Sequence, residues 1–171
     1  MTEGDRTLTG VGSRNDDITK EGLWERICAI RANWGDQAKL RELLDEWDRD
    51  FGSEYDDKTL EALAENVRKN AAAWAKQEGI STPEDIVRSM WEGWTEGEFT
   101  IDRTDAGIQI RCTKCPIADS YLAIDKAEAG LLFQCSEDPY IVEGTNPNMN
   151  FRRTKTLMAG DDCCDHFYSM D

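Results

Sequence analysis

From Glu21 onward apolar residues recur at helical spacing: Leu23, Ile27, Ile30 and Trp34 form a stripe that stops at Gly35, a residue suited to the left-handed turn that ends helices. Asp36 can cap a second helix, with Leu40, Leu43, Leu44, Trp47 and Phe51 along one side and Gly52 after it. Leu60, Leu63, Val67, Ala71 and Trp74 mark a third helix that ends near Gly79. Thr82-Pro83-Glu84-Asp85 then offers the cap, the first-position proline and the acidic first turn of a fourth, closed by Trp91 and Trp94.

The period changes after Gly97. Phe99 and Ile101 alternate with polar residues, Asp105-Ala106-Gly107 offers a turn, and Ile108 and Ile110 alternate again, which predicts a β-hairpin. Pro116 opens a helix that runs through Tyr121 and Leu122, and a shorter one begins at Ser136, where Glu137 and Asp138 favour its positive end. Asn146-Pro147-Asn148 reads as a turn into a strand with Met149, Phe151, Arg153 and Lys155 on one face and Asn150, Arg152 and Thr154 on the other; a last strand runs from Asp165 to Met170. The pattern therefore predicts an α+β fold, a helical N-terminal half packed on a small, mainly antiparallel sheet in the C-terminal half. Residues 1–17 lack period and read as a flexible tail, leaving 18–171 as a single α+β domain, a length that suits one continuous core.

Charge narrows the partners. With 35 acidic against 20 basic residues, a formal net charge of -15, the surface repels phosphate backbones and anionic headgroups, so neither nucleic acid nor membrane is expected. No apolar run approaches the ~20 residues of a bilayer span, and the N-terminus lacks the basic-then-apolar order of a secretory signal, so a cytoplasmic location is expected. The partner expected is a small-molecule substrate, and self-association into a homo-oligomer stays open.

A reducing compartment favours thiols or metal ligands over disulfides for the six cysteines, five of which fall at Cys112, Cys115, Cys135, Cys163 and Cys164. Cys112-Thr113-Lys114-Cys115-Pro116 is a CxxC leading into a helix, whose amides can stabilise a thiolate at Cys115; a preceding hairpin is not the βαβ setting of a thioredoxin-type motif. Cys163-Cys164-Asp165-His166 brings thiol, carboxylate and the chain's one histidine within four residues. On a strand Cys164 and His166 share a face while Cys163 and Asp165 point away. Cys112, Cys115, either Cys163 or Cys164, and His166 also amount to four soft zinc ligands, although CCxH is not a second zinc knuckle. Small buried cysteines and ordinary turn asparagines are the plain alternatives.

The run from Cys135-Ser136-Glu137-Asp138 through Glu143-Gly144-Thr145-Asn146-Pro147 and Phe151-Arg152-Arg153-Thr154-Lys155-Thr156-Leu157 to Gly160-Asp161-Asp162-Cys163-Cys164-Asp165-His166 resembles the L-2-amino-thiazoline-4-carboxylic acid hydrolase family. The resemblance implies ring-opening hydrolysis of a cyclic amidine-like substrate, in the namesake conversion of an aminothiazoline carboxylate to a carbamoyl cysteine, with no organic cofactor. Carried onto this chain, it implies Cys164 as the nucleophile or essential thiol with Asp165 beside it and no metal; the chemistry of the side chains adds His166 as acid/base and Asn146, Arg153, Cys135 and Asp162 as substrate contacts. One departure stands out. Relatives commonly end Cys-Asp-Phe-Arg, whereas Cys164-Asp165-His166-Phe167 has an imidazole near the place of an arginine able to hold a carboxylate, which leaves room for a different substrate. The function expected is thus a cysteine-dependent hydrolase opening a small cyclic C–N or C–S ring, against a small-molecule sensor domain or a zinc-stabilised interaction module.

Overall fold

The computed structural model describes residues 18–52 and 56–171; the expected tail at 1–17 lies outside them. Helix α1 (Lys20–Ala32) is capped by the Thr19 hydroxyl, which accepts from the Gly22 amide, and α2 (Gln37–Phe51) by the Asp36 carboxylate, which accepts from Lys39. Helix α3 (Asp57–Glu78) starts at Asp56 and ends on the left-handed Gly79. Their apolar stripes meet around Leu23, Ile27, Leu40, Leu44, Trp47 and Leu63, all buried. Each cap satisfies an amide that the first helical turn would otherwise leave orphaned.

Helix α4 (Pro83–Ile86) begins with a reciprocal capping box between Thr82 and Asp85 and passes directly into a π-helical turn, Val87–Trp91. The hairpin follows as β1 (Glu98–Thr104) and β2 (Gly107–Lys114). Gly107 sits at φ 146°, and a Cβ there would stand 2.4 Å from the Tyr168 carbonyl, so both backbone shape and space demand glycine. Helices α5 (Pro116–Leu122), α6 (Ala127–Phe133) and α7 (Asp138–Thr145) come next, a 3₁₀ turn at Cys135–Glu137 joining the last two. Strand β3 (Met149–Arg152), a 3₁₀ turn at Leu157–Ala159 and β4 (Cys164–Met170) complete the order. The sheet is antiparallel throughout, in the order β1-β2-β4-β3. The fold is α+β, with most of the helical residues before the sheet.

Two elements depart from expectation. Helix α6 was not anticipated, and the expected strand through Lys155 stops at Arg152. The cause of the second lies in Asp165, whose carboxylate accepts from the amides of Thr154 (2.8 Å) and Lys155 (2.6 Å) and from the Thr154 hydroxyl (2.5 Å). Those amides are drawn to a side chain, and the chain leaves the sheet.

A second apolar cluster fills the space between the sheet and the helices, with Ile86, Val87, Trp91, Ile110, Cys112, Met149, Cys164 and Tyr168 buried in it. Cys115 and Leu157 pack against both clusters. The functional residues gather at that junction.

Candidate active site

Alternation along β4 turns Cys164, His166 and Tyr168 inward and leaves Asp165 and Phe167 half-exposed on the other face. The β2 register sets Cys112 opposite Cys164 and Ile110 opposite His166, so the two cysteines share the inner face. Cys115 is the residue preceding α5 and Cys135 opens the 3₁₀ turn before α7. All four thiols line one cavity of about 240 Å³, together with Trp91, Asp138, Arg153 and His166. None of them is in a disulfide.

The π turn matters to the geometry because it carries Met90 and Trp91, both of which face this cavity. Trp91 lies 4.9 Å from the His166 ring, centroid to centroid, and its indole N–H donates to the Tyr168 hydroxyl at 3.1 Å. Phe151 flanks the imidazole at 5.8 Å. Two rings thus hold His166, only 6% exposed, at a fixed tilt.

His166 Nε2 stands 3.3 Å from Asp138 Oδ2. The same carboxylate accepts from the Arg153 guanidinium, whose second amino group donates to the Cys135 carbonyl at 3.0 Å. Asp138 and Arg153 are 17% and 16% exposed, so their charges interact in a poorly solvated setting. With Nε2–H given to Asp138, Nδ1 is an acceptor, and it is buried without a hydrogen-bond partner. A carboxylate, an oriented imidazole and its free nitrogen are the parts of a proton-transfer relay.

The thiols differ in their surroundings. Burial pushes Cys112 up to about 12, with Cys115 and Cys164 adding to it. Burial, then Asp138, pushes Cys135 up to about 12 as well. Cys115 is raised by burial despite the opposing amides of Ala118 and Ile117. Cys164 accepts a backbone N–H at its sulfur from Leu157, at 3.3 Å, and lies 3.6 Å from the Thr156 hydroxyl.

Four of the residues marked from the sequence, Cys164, His166, Cys135 and Arg153, therefore meet at one cavity, and three do not. Asp165 is turned to the opposite face by strand alternation and clips the loop after β3. Asp162 is exposed and bridged by Arg111 (2.7 Å) and Lys155 (2.9 Å), cations that hold its carboxyl near 2. Asn146 spends its amide on the turn, donating to the Ser81 carbonyl at 2.8 Å and accepting from the Asn148 amide at 3.0 Å. Asp138 is the reverse case. In sequence it was only a charge at a helix start, and its partners Arg153 and His166 lie 15 and 28 residues away. Among the described residues no three His, Cys, Asp or Glu side chains converge in a way that could hold a metal ion, and no helix is long and apolar enough to cross a membrane.

A thiol-lined cavity at the junction of a helical layer and a four-stranded antiparallel sheet, with a carboxylate-held histidine, defines a small α+β protein equipped for nucleophilic and proton-transfer chemistry. The sequence model of the family described as L-2-amino-thiazoline-4-carboxylic acid hydrolase matches residues 32–168, a span that includes every residue of this cavity, and the chain belongs to that family. No curated protein and no solved structure matches the chain.

Proposed function

We propose that the protein is a hydrolase that opens a small cyclic amidine bearing a carboxylate, of the 2-aminothiazoline-4-carboxylate type, with Cys164 as nucleophile. The observation that carries this is the shared cavity: Cys164 and His166 project side by side from β4 into it, and Asp138 holds one imidazole nitrogen while the other is free. The family name supplies the substrate class.

Such a substrate carries an anion and a cation at opposite ends, and the cavity presents Arg153 and Asp138 side by side. Arg153 faces the carboxylate and Asp138 the amidinium, a pairing of planar groups that fixes the ring. The Cys164 thiolate, supported by the Leu157 N–H, adds to the amidine carbon. The ring C–S bond breaks, and the departing sulfur takes a proton from His166, leaving an isothiourea on Cys164. Water then adds to the same carbon as His166 accepts its proton; the bond to Cys164 breaks and the thiol is restored. One water is consumed and a carbamoyl amino thiol is released, so atoms balance with no oxidant or cofactor.

The test is turnover of 2-aminothiazoline-4-carboxylate, followed by chromatography with mass detection of the carbamoyl product. Wild type is expected to turn over, Cys164→Ala and Cys164→Ser to fall to background, and His166→Asn to lose about 10²–10⁴-fold. Turnover retained in both Cys164 variants would overturn the nucleophile assignment. Binding without turnover in wild type would make the chain a ligand sensor instead.

A further inference from the structure

A second cavity, of about 270 Å³, lies against the first between α1, α3, the π turn and α7. The two share Met90 and Glu137 as lining residues, so they are separated by side chains and not by backbone layers. We propose that this outer cavity is a subsite for an apolar, ring-sized substituent of the substrate, so that the protein acts on an aryl-substituted cyclic amidine acid in preference to the bare ring. The inference rests on the reading of the Cys164 cavity as the place where that ring is opened.

Size is the first argument. Pockets for small organic ligands run from about 300 to 1,000 Å³. Either cavity alone falls short of that range, and the two together enter it.

Lining chemistry is the second. Trp24, Trp74 and Ile141 supply flat and aliphatic surface to the outer cavity. Its two charged residues cancel: the Arg31 guanidinium is ion-paired with Glu137, and both side chains are about four-fifths buried. Arg31 also lies 5.9 Å from the centroid of the Trp24 ring, which fixes that indole as a wall. A neutral aromatic group meets no unpaired charge there, whereas a second anion or cation would have to break the Arg31–Glu137 pair.

The partition is the third. Met90 belongs to the π turn, an insertion that is frequent at functional sites, and its unbranched thioether can change rotamer without moving the backbone. Rotation of that side chain joins the cavities while Trp91 keeps its hydrogen bond to Tyr168. Trp24 and Arg31 stand ahead of the residues matched by the family, so one wall of the subsite belongs to this chain's own α1.

The experiment compares binding of 2-aminothiazoline-4-carboxylate and its 5-phenyl derivative by calorimetry, using the Cys164→Ala chain so that turnover does not intervene. The phenyl compound is expected to bind about tenfold tighter or more, the gain from burying a phenyl group. Asn70→Trp fills the outer cavity from an exposed position on α3, and Trp74→Ala removes a wall; either should shrink that ratio by about tenfold, and Trp74→Ala keeps the test usable if the larger side chain disturbs folding. No advantage for the phenyl compound, or an advantage untouched by both substitutions, overturns the subsite. The expected phenyl advantage, lost in both variants, with no ring opening of either compound by wild type would instead overturn the proposed reaction and leave the subsite standing.

Discussion

Replacing Gly144 with alanine puts a methyl group where helices α3 and α7 meet backbone to backbone. The added carbon would stand 2.4 Å from the Arg68 carbonyl oxygen and 2.8 Å from the Arg68 Cα, with the Ala71 methyl at 3.0 Å. A carbon–oxygen approach settles at roughly 3.3 Å, so α7 must retreat by about 1 Å, and the obstacle is main chain that cannot swing aside. Overpacking of this kind costs up to about 3 kcal/mol. Alanine regains about 0.5–1 kcal/mol of helix propensity, which leaves a net loss of about 2 kcal/mol, or a melting temperature lower by about 4–8 °C for a chain of this size. Function should suffer more than stability. Asp138 opens the same helix, and a misplacement of about 1 Å at a catalytic group can cost on the order of 10²-fold in rate. Thermal melting and turnover of Gly144→Ala, beside Gly35→Ala as a control with nothing within 4 Å, measure both. A Gly144→Ala chain that melts with wild type would refute the close α3–α7 contact, and full activity in a chain that melts early would refute the dependence of the site on the position of α7.

At pH 8 the native chain should alkylate at Cys164 before Cys112 and Cys135, both of which burial pushes up to about 12, while the Leu157 amide donates to the Cys164 sulfur; site assignment by mass spectrometry decides it, and equal rates at Cys135 would count against the Leu157 amide as a support. Burial acts to raise Asp165, but its bonds from Thr154 and Lys155 outweigh it and hold the carboxyl below its ordinary value. A depressed carboxyl stabilises above its unfolded value of about 3.9 and stops doing so as pH falls through the folded one. The melting gap between wild type and Asp165→Asn should therefore be wide at pH 7 and close in acid; a gap independent of pH would contradict the clip. Trp91→Phe leaves the buried Tyr168 hydroxyl without its donor, at a cost of about 1–3 kcal/mol by urea unfolding, and adding Tyr168→Phe should cost less than the separate effects summed.

Much of this architecture is written in local pattern. Asp36, Asp56 and Thr82 cap their helices where such residues can, and Leu40, Leu44 and Trp47 face inward at the spacing a helix imposes. Alternation alone put Cys164 and His166 on one face of β4. Helix α6 escaped because Ala127–Phe133 is short, starts at Lys126 without a side-chain cap and carries Gly130 at its middle. That glycine has a tertiary reason: a Cβ would meet the Met158 sulfur at 2.4 Å. The cavity residue that sequence reasoning missed and the expected ones that lie outside the cavity share one cause. Asn146 and Asp162 have the right functional groups, but the turn and two surface cations claim them, whereas Asp138 gains its role only when the chain brings Arg153 and His166 to it. Residue type is local and partnership is not.

The central claim is that Cys164 attacks the substrate, and the most direct measurement is the mass of the protein caught during turnover. Wild-type protein mixed with 2-aminothiazoline-4-carboxylate and quenched in acid during turnover should carry an adduct on Cys164 equal to the whole substrate, because thiolate addition with ring opening loses no atom. Peptide mapping that finds this mass on Cys164, and none on Cys112, Cys115 or Cys135, is the predicted result. An unmodified Cys164 in a chain that still turns over, with Cys164→Ala equally active, would contradict the account and pass the attack to a water activated by the His166–Asp138 pair.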